Sequence, residues 1–551
     1  MPTAPKAFQL VHRGDSRAAV HRIHKNSSAD ALAKERNQAT RRQTSSRGPR
    51  QRDFVLLSHL ILEAQVFCEV ASLLSYWVGF EGLYSRFLAW LTRRMPNEAQ
   101  RLLLVTIVAG GVCGLAAVAF HLSIAWAEAR FINSANHASG YSWIWWTILT
   151  PGLGGLLAGL GLTYFAPAAA GSGIPQVKVA YTLRDGYVTF RETIGKFFIC
   201  AMQIGSGASL GLEGPTVQIC AGVSSLLARG ARLSPPNRRR MASVGMAAGI
   251  AAAFNAPIAA ITFTLEELVG DLDQTMLSGV IVAAALSAVV EHSILGTTPV
   301  FHIQRTYTFL SAEWPSLFWY AFLGLLAAIV SVAFTDSLLA LRVAFKRWQS
   351  VPRWVHPAIG GLATGAMAAL ALELFHLNGI AGDPYQTLTL ALTGTLPVTV
   401  MAAFCVLKLA ATVSSYASGG SGGIFAPALF MGSMLGGAVG YLDVLIFHHS
   451  PDIIGAFALV GMGAVFAGII RAPMTSILIV FEMTRGYGLI LPLMIASMSA
   501  FGLARYWRKD QIYEALLAQD GIHLPHGIIP AEEPGKQEDM EPQLPVDDAT
   551  A

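Results

Sequence analysis

Stretches that carry almost no charge and are long enough to cross a bilayer recur along this chain, and that feature excludes most folds. Leu102 to Trp126, Trp143 to Phe165, Leu277 to Val290 and Leu491 to Ala504 contain no Asp, Glu, Lys or Arg, and Leu317 to Ala340 contains only Asp336. A spanning helix needs about 20 apolar residues, so the longer runs suffice, while the shorter ones predict tilted, broken or re-entrant helices. The whole chain agrees: of its 551 residues 53% are hydrophobic and 13% charged, far from the balance of a soluble domain. Its 53 glycines suit helices that pack backbone to backbone in lipid. The expected class is an all-α integral membrane protein.

The formal net charge of +4 conceals an asymmetry. Residues 1–53 form a basic extension of disordered composition, and residues 511–551 read as a polar, acidic tail. The basic segment ahead of the first span places the N-terminus in the cytoplasm, and it is too long and polar for a secretory signal. Beside a membrane, such a segment meets anionic lipid rather than nucleic acid. Residues 54–86 are apolar but carry Glu63 and Glu69, and they stay unassigned. Arg86, Arg93 and Arg94 flank Phe87 to Leu91, as in a helix lying on the membrane surface. The five cysteines sit in apolar segments without ligand spacing, so neither disulfides nor a metal are expected. With no phosphate-binding Lys motif either, no cofactor and no ATP hydrolysis are expected.

An internal repeat organises the rest. Val244 to Leu268 (VGMAAGIAAAFNAPIAAITFTLEEL) aligns without a gap on Val460 to Thr484 (VGMGAVFAGIIRAPMTSILIVFEMT), which pairs Glu266 with Glu482. Upstream, Gly205 to Pro215 (GSGASLGLEGP) aligns on Ala417 to Pro427 (ASGGSGGIFAP), pairing Glu213 with Phe425. Duplicated halves with Gly- and Pro-interrupted helices are how many transporters build a site at the bilayer midplane. The alignment alone leaves open whether the halves are inverted or parallel.

The Gly-rich turns point to anion chemistry. Glycine lets backbones approach, and a proline in the first turn of the next helix costs no hydrogen bond. That helix start offers free N–H groups and the positive end of its dipole, which in lipid require a partner. Neither turn contains Lys or Arg, so a halide held by partial charges could leave again, where a full buried cation would tend to trap it. A third turn, Gly171-Ser172-Gly173-Ile174-Pro175, has the same grammar. Glu213 stands where a carboxylate acts either as an ordinary helix cap or as a tethered anion that protonation releases.

GSGIP at Gly171 to Pro175, GLEGP at Gly211 to Pro215 and GGIFAP at Gly422 to Pro427, in this order, resemble the CLC family of chloride channels and proton/chloride exchangers. The resemblance runs over about residues 87–525. It implies two inverted repeats of tilted, broken and re-entrant helices within residues 87–510, the halves spanning about 87–292 and 313–506, and a homodimer in a prokaryotic plasma membrane with both termini cytoplasmic. It further implies that Ser172, the backbone amides of Ile424 and Phe425, and the phenol of Tyr487 bind chloride. Gly171, Gly173, Ile174, Pro175, Gly211, Gly214, Pro215, Gly423 and Pro427 belong to the selectivity motifs. Glu213 corresponds to the gating glutamate and Glu267 to the internal glutamate that passes protons in the exchangers, with Glu266 beside it on that route. An acid in an apolar segment costs on the order of 3 kcal/mol to insert, so a role is expected.

The resemblance is incomplete at two places. Leu212 stands where relatives commonly have a basic residue, which predicts a less positive outer approach. Longer relatives continue into paired nucleotide-sensing CBS domains, whereas this chain ends in a short acidic tail, so such regulation is not expected. Proton/chloride antiport is the favoured function, and a passive gated chloride channel is the alternative that Glu267 argues against. An intramembrane serine protease fits Gly419 to Gly422 (GGSG) by letter, but the only later histidines near membrane depth, His448 and His449, lie at the end of an apolar run.

Overall fold

The computed structural model describes Met95 and residues 97–136, 141–269, 274–296, 314–484 and 487–524. The expectations for residues 1–53, 54–86, the surface helix near 87–91 and the tail beyond 524 lie outside the described residues. The chain divides into two units, Met1–Ala89 and Trp90–Ala551, and every element below belongs to the second.

In chain order the helices of the first half are α1 (Glu98–Asn136), α2 (Ser142–Leu160), α3 (Ile174–Leu183), α4 (Phe190–Gly205), α5 (Glu213–Gly230), α6 (Pro235–Phe254), α7 (Pro257–Thr264) and α8 (Gln274–Leu295). Those of the second are α9 (Trp314–Arg347), α10 (His356–Phe375), α11 (Tyr385–Leu392), α12 (Val398–Ala417), α13 (Phe425–Phe447), α14 (Ile453–Ile470), α15 (Pro473–Thr484) and α16 (Ile490–Trp507), with α17 (Ile512–Gln519) after them. Nine helices among the described residues are long and apolar enough to cross a membrane. Others, such as α3 and α7 with 10 and 8 residues, are far too short, as the interrupted apolar runs predicted.

The halves repeat the same series. The long openers α1 and α9 have 39 and 34 residues, and the central helices α6 and α14 have 20 and 18. Both central helices stop at the Ala-Pro pair for one reason. Proline disfavours helical backbone before it, so Ala256 lies at φ −137°, and the preceding Asn255 and Arg471 end their helices in left-handed conformation at φ 53° and 67°.

The relation between the halves is an inversion. Glu482 at the end of α15 accepts hydrogen bonds from the amides of Ile258 (3.0 Å) and Ala259 (2.7 Å) at the start of α7. Glu266, in the π-helical turn Leu265–Val269 that extends α7, accepts from the amides of Met474 (3.0 Å) and Thr475 (2.9 Å) at the start of α15. Each carboxylate fills N–H groups that a helix start leaves without partners. The exchange is possible only because the two helices run antiparallel.

Burial concentrates at the centre. In α14 the apolar window is 94% buried, against 33–61% for the other spans. It crosses α13 at glycines: an added Cβ on Gly461 would lie 2.2 Å from the carbonyl oxygen of Gly432, and one on Gly436 would lie 2.0 Å from that of Phe457. The polar tail expected from residue 511 begins instead with a packed helix. Ile512, Tyr513, Leu516 and Leu517 of α17 are buried, and α17 rests against α3, α9 and α14. Its short apolar face had no periodic run of its own long enough to mark it in the sequence.

Candidate functional site

The three Gly-rich turns meet at one place. Gly171 donates its amide to Gly420 and accepts from Gly422, both at 3.0 Å, while Gly211 and Gly423, equivalent positions of the repeat, exchange hydrogen bonds of 2.8 and 2.6 Å. The approach is backbone to backbone. Gly173, at φ 102°, would place a Cβ 2.7 Å from the carbonyl oxygen of Gly214, and Gly214 would place one 2.5 Å from that of Ser172. Ile174 with Pro175, Gly214 with Pro215, and Phe425 with Pro427 then open α3, α5 and α13, so three helices start at these turns.

Ser172 is fully buried there, its hydroxyl oxygen accepting from the amide of Ile174 (3.4 Å) and its own amide donating to the hydroxyl of Tyr416 (3.2 Å). Tyr513 reaches the same place from α17. It is fully buried, with its side chain close to that of Ser172. Helix α13 begins at Phe425, with Ile424 as its cap. The ring of Phe425 is held by Phe254, Phe263 and Phe466 at centroid distances of 5.9, 5.2 and 4.9 Å, which fixes where α13 begins. Tyr487, expected at this centre, lies in the turn Tyr487–Leu489, and its side chain is outside the described residues.

Glu213 is the first residue of α5 and is fully buried. Its carboxylate folds back over Gly211 toward the start of α13: a Cβ on Gly211 would meet Oε2 at 2.2 Å and the amide nitrogen of Ala426 at 3.2 Å. Oε1 accepts from the hydroxyl of Tyr385 at 3.1 Å, and Oε2 has no partner among the described residues. A carboxylate so placed occupies the position that an anion drawn to these helix starts would take.

Buried cations, absent from the turns themselves, arrive from neighbouring helices. Lys196 of α4 donates to the carbonyl oxygens of Ala169 (2.9 Å) and Gly171 (2.6 Å) and to the hydroxyl of Ser421 (3.3 Å). Lys408 of α12 donates to the carbonyls of Gly379 (2.8 Å) and Ile380 (3.1 Å), with Glu213, Asp383 and Glu128 in its field. Lys408 thus restores near Glu213 some of the positive potential that Leu212 withholds. Lys196 spends its hydrogens on two carbonyls and a hydroxyl, and Lys408 donates to two carbonyls, so both contribute a positive field while these contacts are to protein oxygens. Both lysines were visible in the sequence as lone charges within apolar runs, a signal that marks function in a membrane helix.

On the other side, Glu267 is buried, and its Oε1 lies 2.8 Å from Nζ of Lys178. Glu266, one residue away, is committed to the start of α15. Ser421, the serine of the protease-like pattern, sits among Lys196, Cys200 and Gln203 and helps to clamp the turns. His449, one of the two later histidines and just beyond the far end of α13, pairs with Asp443 at 2.7 Å; α13 at 23 residues is roughly 35 Å long. Ser421 and His449 do not meet.

Comparison with known proteins accords with this geometry. Residues 154–505 match the family described as voltage gated chloride channel. The H+/Cl− exchange transporter ClcA of Salmonella paratyphi B is 31% identical over 428 residues, covering 76% of this chain and 88% of that protein, and ClcA of Salmonella newport matches equally. Among solved structures, a slow cyanobacterial Cl−/H+ antiporter superposes with a TM-score of 0.68 at 25% identity, covering 76% of this chain and 98% of that one. A eukaryotic CLC transporter, at 20% identity and a TM-score of 0.63 over 76% and 74% of the two chains, shares the fold. Three interlocked Gly-rich turns at the centre of two inverted halves, and a match across most of the helical core, place this chain in the voltage-gated chloride channel family.

Proposed function

We propose that this protein exchanges chloride for protons across a membrane. The reading rests above all on Glu213, a fully buried carboxylate lodged where α5 and α13 begin, beside the amide of Ala426. Chloride held by the Ser172 hydroxyl, the Tyr513 phenol and the amides of Ile424 and Phe425 competes with that carboxylate; protonation weakens the carboxylate's attraction to the helix ends and frees the position. One group then serves as gate and as proton carrier. Tyr487 remains an alternative phenol for the central site.

Buried Glu267 favours exchange over a passive channel, since a carboxylate in apolar surroundings has little reason to be kept without a task. In this account Glu266 caps α15 and lies outside the relay. Basic side chains gather near α17, at Arg342, Lys346, Arg505, Arg508 and Lys509, which supports a cytoplasmic face at the Glu267 end. The multi-pass protein would then reside in the plasma membrane with its C-terminus inside. Apolar side chains exposed on α7, α15 and α16, among them Ile258, Met474 and Leu491, offer a face for a second copy, in keeping with a homodimer.

Glu267→Gln tests the coupling. Glutamine keeps a hydrogen-bond acceptor for Lys178, whereas an apolar residue would strand a buried ammonium at a cost of about 3–5 kcal/mol. The expected result in proteoliposomes is chloride flux with proton transport lost. Proton transport at the wild-type ratio would mean that protons reach Glu213 by another path.

A further inference from the structure

Glu267 is not a free carboxylate. Lys178, projecting from α3, places Nζ 2.8 Å from Glu267 Oε1 and 3.9 Å from Glu514 Oε1 on α17. The exposure of the three side chains is graded: 33% for Glu514, 10% for Lys178 and 1% for Glu267. A carboxylate that meets solvent, a nearly buried ammonium and a fully buried carboxylate therefore stand in line, and the proton nearest to Glu267 is the one on Lys178.

We infer that Lys178 carries protons in the relay, delivering them to Glu267 and regaining them from Glu514. The inference rests on the exchange reading and names a further residue of the same path. A proton that reached Glu267 directly from solvent while Glu514 is protonated would neutralise the carboxylate and leave the Lys178 ammonium buried without a counter-charge, an arrangement that is strongly unfavourable. Transfer within the pair avoids that penalty. The Lys178 ammonium gives a proton to the Glu267 carboxylate, leaving an amine and a carboxylic acid with no net charge. Protonated Glu514 then gives its proton to the amine, which restores the ammonium beside the Glu514 carboxylate; solvent reprotonates Glu514 only after Glu267 has passed its proton on and is again the counter-charge of Lys178. One proton has moved from Glu514 to Glu267, and no step leaves a lone charge in the interior. The 3.9 Å gap between Glu514 and Lys178 is within reach of a small rotation of either side chain.

A counter-ion and a carrier are separated by Lys178→Arg. Arginine keeps the positive charge and the pairing with Glu267, but a guanidinium does not release its proton at physiological pH. Chloride flux and chloride-driven proton movement are measured together in proteoliposomes of the full chain. With Lys178→Arg, protons moved per chloride should fall by roughly a hundredfold, the scale of losing a positioned proton donor. Glu514→Gln, at a partly exposed position, should slow proton movement in the same direction and gives the decision if the arginine does not fit. A wild-type ratio in Lys178→Arg leaves the lysine a counter-ion only, and a wild-type ratio in Glu514→Gln removes the donor; either overturns the relay. If the unaltered protein moves no protons against a gradient, exchange itself fails, an outcome distinct from a coupled wild type with coupled variants.

Discussion

Replacing Glu213 with alanine should give a protein that still passes chloride and moves no protons. The carboxylate is lodged where α5 and α13 begin, folded over Gly211 and held on one side by the Tyr385 hydroxyl. Alanine leaves that position open to an anion, whose attraction to the helix starts is undiminished, and removes the group that carries the proton past it. Chloride efflux and external pH recorded on the same vesicles separate the two fluxes. The expected record is a chloride gradient that dissipates with no change in pH. Proton transport that survives the substitution contradicts the gating role, whatever happens to chloride.

The second large effect concerns folding. Gly461→Val should yield little or no folded protein, because its Cβ would lie 2.2 Å from the carbonyl oxygen of Gly432 and 2.8 Å from Cα of Gly436. Both obstacles are backbone of α13, so no side chain can turn aside and the helices must separate. Overpacking of a core costs about 1–3 kcal/mol where side chains can adjust, and more is expected where they cannot. Gly502→Val is the control: a Cβ there meets nothing within 4 Å. The monodisperse fraction after detergent extraction should fall sharply for the first variant and stay near wild type for the second. Equal yields would show that the α13–α14 crossing tolerates separation.

The features legible in the sequence were those carried by short contiguous patterns. Each of the three Gly- and Pro-bearing turns, with Glu213 at a helix start, is carried by a few neighbouring residues, and each copy of the repeat is one unbroken segment. The pairing of Glu266 with Glu482 was legible too, but its meaning was not. Each carboxylate caps the helix of the other half, a contact across more than two hundred residues that only the inversion of the halves creates. Long-range placement likewise hid Tyr513. In the sequence it belongs to a short segment after the last span, and only the packing of α17 against α3 turns it toward Ser172. The buried lysines Lys178, Lys196 and Lys408 carried a signal as isolated charges in apolar surroundings, but their partners are carbonyls and carboxylates on other helices.

The most direct test is proton movement by the unaltered protein in proteoliposomes under an outward chloride gradient, with pH recorded outside the vesicles and no proton gradient imposed. The account predicts that chloride leaving the vesicles drives protons inward, so the external solution becomes more alkaline until an uncoupler collapses the difference. Chloride efflux with a flat pH record would contradict exchange and leave a passive anion pathway, in which the Lys178–Glu267 pair is a structural contact.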